Sequence, residues 1–328
     1  MFDLLNNRVV KPLASKLQAS HLEWLGMNNT MRVARAYNGL REAKYHSHRR
    51  WLYGNKLDEL ISENGEPTRP AAKLQDGWAL DTSCKLPYLQ ELLEASEEII
   101  EERGLKQVKG KGAYRSFFQN IATPEDTEKY PAILNFALSS DVLMPVCREM
   151  GCLPVLSGTL PVGARLVESS ARYQTEEPWT YRDSQLFHRD YYSLRMVYVI
   201  VLLRDVTIKN GPFTWVGAAE SKRLTKALHY WQRGRHYRVS DEAFYALVDR
   251  KEIHELSYPK GAVLFIDPKQ CFHMGSRDSV EPRYQMMYGF STTCRTEFSE
   301  LLTPRTEYKV DDTDSRLRKL VLRKEFML

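Results

Sequence analysis

The second half of the chain alternates short apolar runs with turns, and this pattern limits the fold more than any other feature. Val, Ile, Tyr and Phe are concentrated in four runs, residues 159–167, 195–203, 262–266 and 284–291. Short runs of β-branched and aromatic residues predict strands. Asn210-Gly-Pro212 and Pro259-Lys-Gly261 have the residue types of turns. This half of the chain is therefore predicted to be built from short strands.

Residues 1–150 have a different, mainly helical pattern. In residues 88–100 and 130–138 the apolar positions recur every three or four residues. Strands closed against helices predict an α+β protein whose core is a β-sandwich or a jelly roll with helical support, and we take the jelly roll of the cupin-like, double-stranded β-helix kind as the fold class. We predict a single domain over 1–328. Its parts are a helical N-terminal support (1–150), a jelly-roll core (151–300) and a basic C-terminal tail (301–328).

His188, Asp190 and His273 have the chemistry of a metal site. His188 and Asp190 are two residues apart, and in an extended segment side chains at i and i+2 point to the same face. His273 follows the strand-like run 261–267 and could reach the same point. Two histidines and one carboxylate leave one face of a metal open, as a non-haem Fe(II) oxygenase requires. A single histidine after an apolar run is more often a core or rim residue, so the metal interpretation depends on the set.

Arg283 is the candidate anion clamp of this site. It begins the strand-like run 283–290, ten residues after His273. Its planar guanidinium suits a bidentate bond to a carboxylate. Arg277 is the rival clamp, but it lies in the predicted turn 275–278, which fixes the direction of a side chain less well than a strand does.

The order of these motifs resembles that of the Fe(II)/2-oxoglutarate-dependent oxygenases, and within them the phytanoyl-CoA dioxygenase-like group. The resemblance covers roughly residues 155–295. It depends on four pieces, His188-Arg-Asp190, Asn210-Gly-Pro-Phe-Thr-Trp-Val216, the run from Gly261 to Ser276 with His273, and Arg283. The chain departs from the family at 217–222, where a Pro-Gly-Ser-His stretch is usual.

The resemblance implies cofactors and a reaction. Fe(II) would be held by His188, Asp190 and His273, and the co-substrate 2-oxoglutarate would place its far carboxylate on Arg283. With dioxygen, the enzyme would oxidise a C–H bond of its substrate and release succinate and carbon dioxide. Aspartate at position 190 favours hydroxylation or a related oxidation, because related halogenases have a small residue there.

Basic residues leave two other functions open. The net charge is +5, and the first fifty residues hold nine Lys or Arg against three Asp or Glu. Basic surfaces attract nucleic acid and acidic lipids, so peripheral membrane contact stays open. No basic run interleaved with aromatics and no known nucleic-acid module is present, which makes nucleic acid an unfavoured partner. The alternatives are an oxygenase acting on nucleic acid or protein, and a catalytically silent jelly-roll binding protein.

The cysteines and the apolar runs predict a cytoplasmic protein. The five cysteines are odd in number, scattered and without a Cys-x-x-Cys pair, so neither a disulfide framework nor a zinc knuckle is indicated. The N-terminus breaks its apolar run early, unlike a signal peptide. The longest apolar run, 196–203, is too short to span a bilayer.

Arginines near the predicted ligands indicate an anionic small-molecule substrate. The segments 168–185 and 220–249 flank ligand-bearing strands and are predicted to form a rim or lid over the metal. Both are rich in arginine, with Arg172, Arg182, Arg223, Arg233, Arg235 and Arg238. This many guanidinium groups favours a carboxylate, phosphate or sulfate on the substrate. A solvated, arginine-rich helix is the alternative.

Overall fold

The computed structural model describes residues 26–106, 117–157, 163–171, 180–235, 237–297 and 308–328. Its helices are α1 (Met27–Arg41), α2 (Ala43–Glu63), α3 (Leu89–Arg103), α4 (Asp126–Lys129), α5 (Ala132–Leu138), α6 (Ser140–Met150), α7 (Ala218–Ala227), α8 (Asp241–Tyr245) and α9 (Arg316–Leu322). Its strands are β1 (Trp78–Asp81), β2 (Phe118–Asn120), β3 (Val155–Leu156), β4 (Ala164–Ser169), β5 (Met196–Leu202), β6 (Thr214–Val216), β7 (Ile253–Glu255), β8 (Val263–Ile266), β9 (His273–Met274) and β10 (Arg283–Ser291).

Two antiparallel sheets form the core. The large sheet has the order β1-β8-β5-β10-β4-β2, with β3 also paired to β10, and the small sheet has the order β7-β6-β9. Tyr198 and Ile200 of β5 belong to one apolar cluster with Trp215 of β6 and with Phe213, which directly precedes that strand. The two sheets therefore pack face to face, and the predicted α+β class with a jelly-roll core is the observed fold.

The central strand β10 separates the apolar core from the site. Tyr284, Met286, Tyr288 and Phe290 belong to the main hydrophobic cluster. The intervening residues Arg283, Gln285, Met287 and Gly289 line a cavity between the sheets. Successive side chains of a strand point to opposite faces, so a single strand supplies both the core and one wall of the cavity.

The main hydrophobic cluster joins the three predicted parts of the chain. It contains Leu52 and Leu60 of α2, Val199 of β5, and Leu317 and Leu320 of α9. The helices thus pack on the outer face of the large sheet, as predicted. The basic C-terminal segment also contributes a helix to this core, while its Arg316 pairs with Glu59 and Glu63 on α2. The single domain over 1–328 stays a prediction.

Arg49 connects α2 to the C-terminal segment through hydrogen bonds. Its side chain is buried, and its guanidinium donates to the carbonyl oxygens of Pro154, Leu320, Arg323 and Lys324 at 2.6–3.3 Å. These carbonyl groups would be buried without a donor if the guanidinium were removed.

Arg49→Met is therefore expected to lower the free energy of unfolding by about 2–4 kcal/mol. Urea denaturation followed by circular dichroism measures the change. The exposed neighbour Arg50 provides the matched control, and Arg50→Met should change stability by no more than about 0.5 kcal/mol. Equal effects of the two substitutions would show that the hydrogen bonds of Arg49 to the C-terminal segment do not stabilise the fold.

Among the residues that the structure describes, no helix is both long and apolar enough to cross a membrane. The five cysteines are free thiols, of which only Cys84 is exposed. The cytoplasmic location stays a prediction.

Candidate metal and co-substrate site

His188 and His273 face each other as a paired position of two antiparallel segments. The backbone N–H of His188 donates to the carbonyl of His273 at 3.0 Å, and the reverse bond is 2.8 Å. Directly opposed residues of such a pair present their side chains on the same face. The backbone N–H of Asp190 donates to the carbonyl of Pro268 at 2.8 Å, which holds the third residue beside them.

The three side chains converge at one point. Nε2 of His188 lies 3.7 Å from Oδ1 of Asp190, and Nε2 of His273 lies 3.8 Å from Oδ2. Ligand atoms of all three residues lie within 4.8 Å of one another. The three residues are buried, with exposures of 4–5%, and all three line one cavity.

The protonation states suit a divalent metal. Nδ1 of His188 lies 2.8 Å from the carbonyl oxygen of Leu186, and Nδ1 of His273 lies 3.0 Å from that of Cys271. A carbonyl group can only accept, so each Nδ1 carries the proton and each Nε2 carries the lone pair. Burial lowers the pKa of His273, which keeps that imidazole neutral. Two imidazoles that each present Nε2, together with one carboxylate, form the donor set that non-haem Fe(II) takes.

Tyr198 orients the carboxylate of the site. Its hydroxyl group donates to Oδ2 of Asp190 at 2.6 Å, from a strand that belongs to the large sheet. Hydrogen bonds of this kind fix the direction of a ligand and tune its basicity. In the sequence Tyr198 is an aromatic residue of the apolar run 195–203, with no motif that links it to Asp190. Its bond to Asp190 depends on the packing of β5 against the ligand segment.

Tyr198→Phe is expected to weaken Fe(II) binding about tenfold to a hundredfold, as the loss of such a partner does in other metal sites. Anaerobic titration with Fe(II) measures the affinity. Tyr288→Phe is the matched control, because it also removes a buried hydroxyl bond, 2.8 Å to the carbonyl of Ile133, on the opposite face of the large sheet. If both variants lose the same affinity, Tyr198 acts through stability alone.

Arg189 lies between His188 and Asp190 in the chain, and its contacts hold this segment in place. Its guanidinium donates to the carbonyl of Lys269 and to the Thr225 hydroxyl, and it lies 4.7 Å from the centre of the Trp231 ring. Its backbone N–H donates to the hydroxyl of Tyr230 at 3.0 Å. Successive side chains of an extended segment alternate between two faces. The side chain of Arg189 is therefore on the face opposite the one that His188 and Asp190 share.

The segment 220–249 packs against the segment that carries His188 and Asp190. Phe244 stacks on Phe187, with ring centres 3.6 Å apart, and Val239 pairs with Phe187 through the backbone. None of its described residues lines the site cavity. The rim or lid over the metal stays a prediction for this segment. In the other predicted rim segment, residues 172–179, including Arg172, lie outside the described residues.

Arg283 is buried in the same cavity as the three ligands. The cavity has a volume of about 90 Å³ and is lined by both histidines, Asp190 and Arg283. The guanidinium of Arg283 donates to the Gly211 carbonyl and to the hydroxyl groups of Ser276 and Ser169 at 3.0 and 3.3 Å. Its Nε has no acceptor among the described residues. Burial alone lowers its pKa to about 9, since no described carboxylate compensates the charge.

Arg277, the rival clamp, is engaged elsewhere. It forms a two-bond ion pair with Asp241 of α8, at 2.7 and 2.8 Å, and its Nε donates to the carbonyl of Gln185. Its guanidinium also lies 4.5 Å from the centre of the Tyr181 ring. It does not line the cavity. Arg283, and not Arg277, is therefore placed to bind a carboxylate beside the candidate metal ligands.

Comparison with known proteins gives structural likenesses only. No family model matches the chain, and no curated protein is similar to it in sequence. It is similar in structure to the epimerase SnoN in complex with Fe3+, alpha ketoglutarate and nogalamycin RO. The two sequences are 13% identical, and the match covers 78% of this chain and 91% of the other, with a TM-score of 0.44.

Two further solved structures are similar to a smaller part of the chain. HygX from Streptomyces hygroscopicus, with nickel and 2-oxoglutarate bound, has 13% identity over 66% of this chain and 83% of its own, with a TM-score of 0.40. EctD from S. alaskensis, with 2-oxoglutarate and 5-hydroxyectoine, has 11% identity over 66% and 72%, with a TM-score of 0.41. The phytanoyl-CoA dioxygenase-like subgroup stays a prediction.

Proposed function

We propose that the protein is an Fe(II)- and 2-oxoglutarate-dependent dioxygenase that oxidises a C–H bond of a small molecule and releases succinate and carbon dioxide. The observation that carries this proposal is the presence of two complementary sites in one cavity. His188, Asp190 and His273 are a buried set of side chains that could hold a metal ion, and Arg283 is a buried cation without a described carboxylate partner. An unpaired buried cation is costly, so a bound carboxylate would complete it.

The residues of the site would have separate roles in such a reaction. His188, Asp190 and His273 would hold the metal, and Tyr198 keeps the Asp190 carboxylate in place. Arg283 would bind the far carboxylate of the co-substrate, with Ser276 and Ser169 orienting the guanidinium fork. When bound, iron would activate dioxygen, the oxidant, and 2-oxoglutarate would supply two of the four electrons that dioxygen takes up, with the C–H bond of the substrate supplying the other two. Phe213, stacked on His273 with ring centres 5.4 Å apart, shields the ligands from water.

The experiment is an anaerobic titration of the metal-free protein with Fe(II) and 2-oxoglutarate, followed by exposure to air. We expect one Fe(II) and one 2-oxoglutarate per chain, tighter 2-oxoglutarate binding when the metal is present, and succinate after air is admitted. Succinate formation also separates this proposal from a silent binding protein. Binding of 2-oxoglutarate that ignores the metal, or no succinate, would contradict it.

A further inference from the structure

We propose that the outer face of helices α1 and α2, which carries Val33, Leu40 and Trp51, docks on a membrane surface that contains anionic lipid. The inference does not depend on the proposed function, because no described residue of these two helices lines the site cavity. The supporting observations are the direction of the outer face, its exposed apolar side chains and its charge.

The two helices have one side that is fixed on the protein. Helical hydrogen bonds continue across their junction at Glu42, with lengths of 2.8 and 2.9 Å. The side chain of Asn38 is buried and donates to the carbonyl groups of Arg295 and Glu297. Arg49, about three turns further along, is buried on the same side. The opposite side of both helices is therefore the outer face.

Large apolar side chains are exposed on the outer face. Val33, Leu40 and Trp51 are 62, 83 and 54% exposed. Trp51 follows Val33 after eighteen residues, which is about five turns of an α-helix or about 27 Å, and Leu40 follows Val33 after about two turns. The three side chains therefore form one stripe along the helices. Single exposed apolar residues are ordinary, whereas an aligned row of them marks an interaction surface.

Basic side chains border this stripe. Arg32, Lys44 and Arg50 are exposed, and each is next to a stripe residue in the chain or one turn away from it. Between residues 27 and 57 the only acidic residue is Glu42, which is buried and engaged in ion pairs. Cations beside exposed aliphatic and tryptophan side chains are typical of a helix that lies in the headgroup region of an anionic bilayer.

Charge and apolarity together favour this partner over two others. A second copy of the chain, docked through the same face about a two-fold axis, would bring its basic side chains close to those of the first. Nucleic acid would neutralise the cations but would not cover Val33 and Leu40, whose side chains can neither stack on a base nor form a hydrogen bond. An anionic bilayer attracts the cations and also takes up the apolar side chains.

The test is co-sedimentation of the full chain with vesicles of pure phosphatidylcholine or of phosphatidylcholine mixed with phosphatidylserine. We expect binding to the mixed vesicles alone, and weaker binding at higher salt. Lys44→Gln should weaken it about fivefold, since one basic residue near the surface is lost. Leu40→Ser should weaken it about tenfold, since one inserted apolar side chain is lost.

Two substitutions outside the helices are the matched controls. Ile208→Ser changes an isoleucine that is 69% exposed, and Lys85→Gln changes an exposed lysine. Both variants should bind the mixed vesicles as the wild type does. All four substitutions are at exposed positions, so the circular dichroism spectra should match that of the wild type.

Several results would overturn the proposal. They are a wild type that does not bind the mixed vesicles, equal binding to both kinds of vesicle, and equal binding by Leu40→Ser and Ile208→Ser. A dimer in sedimentation velocity that Leu40→Ser abolishes would assign the outer face to a second copy of the chain. Tighter binding to a DNA duplex than to the mixed vesicles, weakened by Lys44→Gln and not by Lys85→Gln, would assign it to nucleic acid.

Discussion

Replacing His188 or His273 by alanine is expected to abolish Fe(II) binding and turnover while the fold is retained. Each substitution removes one of three ligands, and two remaining donors do not hold Fe(II) in competition with water. The loss should exceed the tenfold to hundredfold effect of removing a residue that only orients a ligand. Fe(II) content after desalting, succinate formation and the circular dichroism spectrum are the three measurements.

His254→Ala is the control for these variants. The His254 ring packs against Trp78 and Trp215, at 4.7 and 5.4 Å between ring centres, and it does not line the site cavity. It should keep the wild-type iron content. Full iron content in His188→Ala or His273→Ala would remove that residue from the ligand set. Loss of the folded spectrum would show that the pair of opposed histidines also maintains the fold.

Replacing Arg283 by lysine is expected to weaken 2-oxoglutarate binding about tenfold to a hundredfold, since one charge-assisted hydrogen bond contributes roughly 1.5–3 kcal/mol. Lysine keeps a positive charge but cannot form the planar pair of bonds to a carboxylate. Titration of the Fe(II)-loaded protein with 2-oxoglutarate measures the effect. Arg277→Lys should change this affinity little, because Arg277 is bonded to Asp241. The reverse ranking would move the clamp to Arg277.

The lysine variant should also make co-substrate binding depend on pH. Burial lowers the pKa of Arg283 to about 9, so the guanidinium stays charged at neutral pH. The same burial acts on an ammonium group of lower intrinsic pKa, which then loses its proton near neutrality. Binding a carboxylate needs the protonated form. The affinity of Arg283→Lys should therefore fall as pH rises through the neutral range, while that of the wild type stays level.

Sequence patterns located the longer strands well and the short ones poorly. The runs predicted at 195–203, 262–266 and 284–291 are β5, β8 and β10 within one residue at each end. In the run predicted at 159–167, residues 159–162 lie outside the described residues, and residues 164–167 are in β4. The short strands β1, β2, β3, β7 and β9 were not among the predicted runs. Of these, β1 and β2 lie within the mainly helical part, where they pair with β8 and β4.

The sequence by itself indicated the candidate ligand set, because His188 and Asp190 are close in the chain and the period of a strand turns them to one face. It also indicated Arg283, whose place at the start of a strand fixes its direction. Tertiary structure alone decided the contacts between distant segments. These include the opposed backbone pair of His188 and His273, the bond from Tyr198 to Asp190, and the register of β4 with β10. Such pairs depend on strand register and sheet packing, which local residue patterns do not encode.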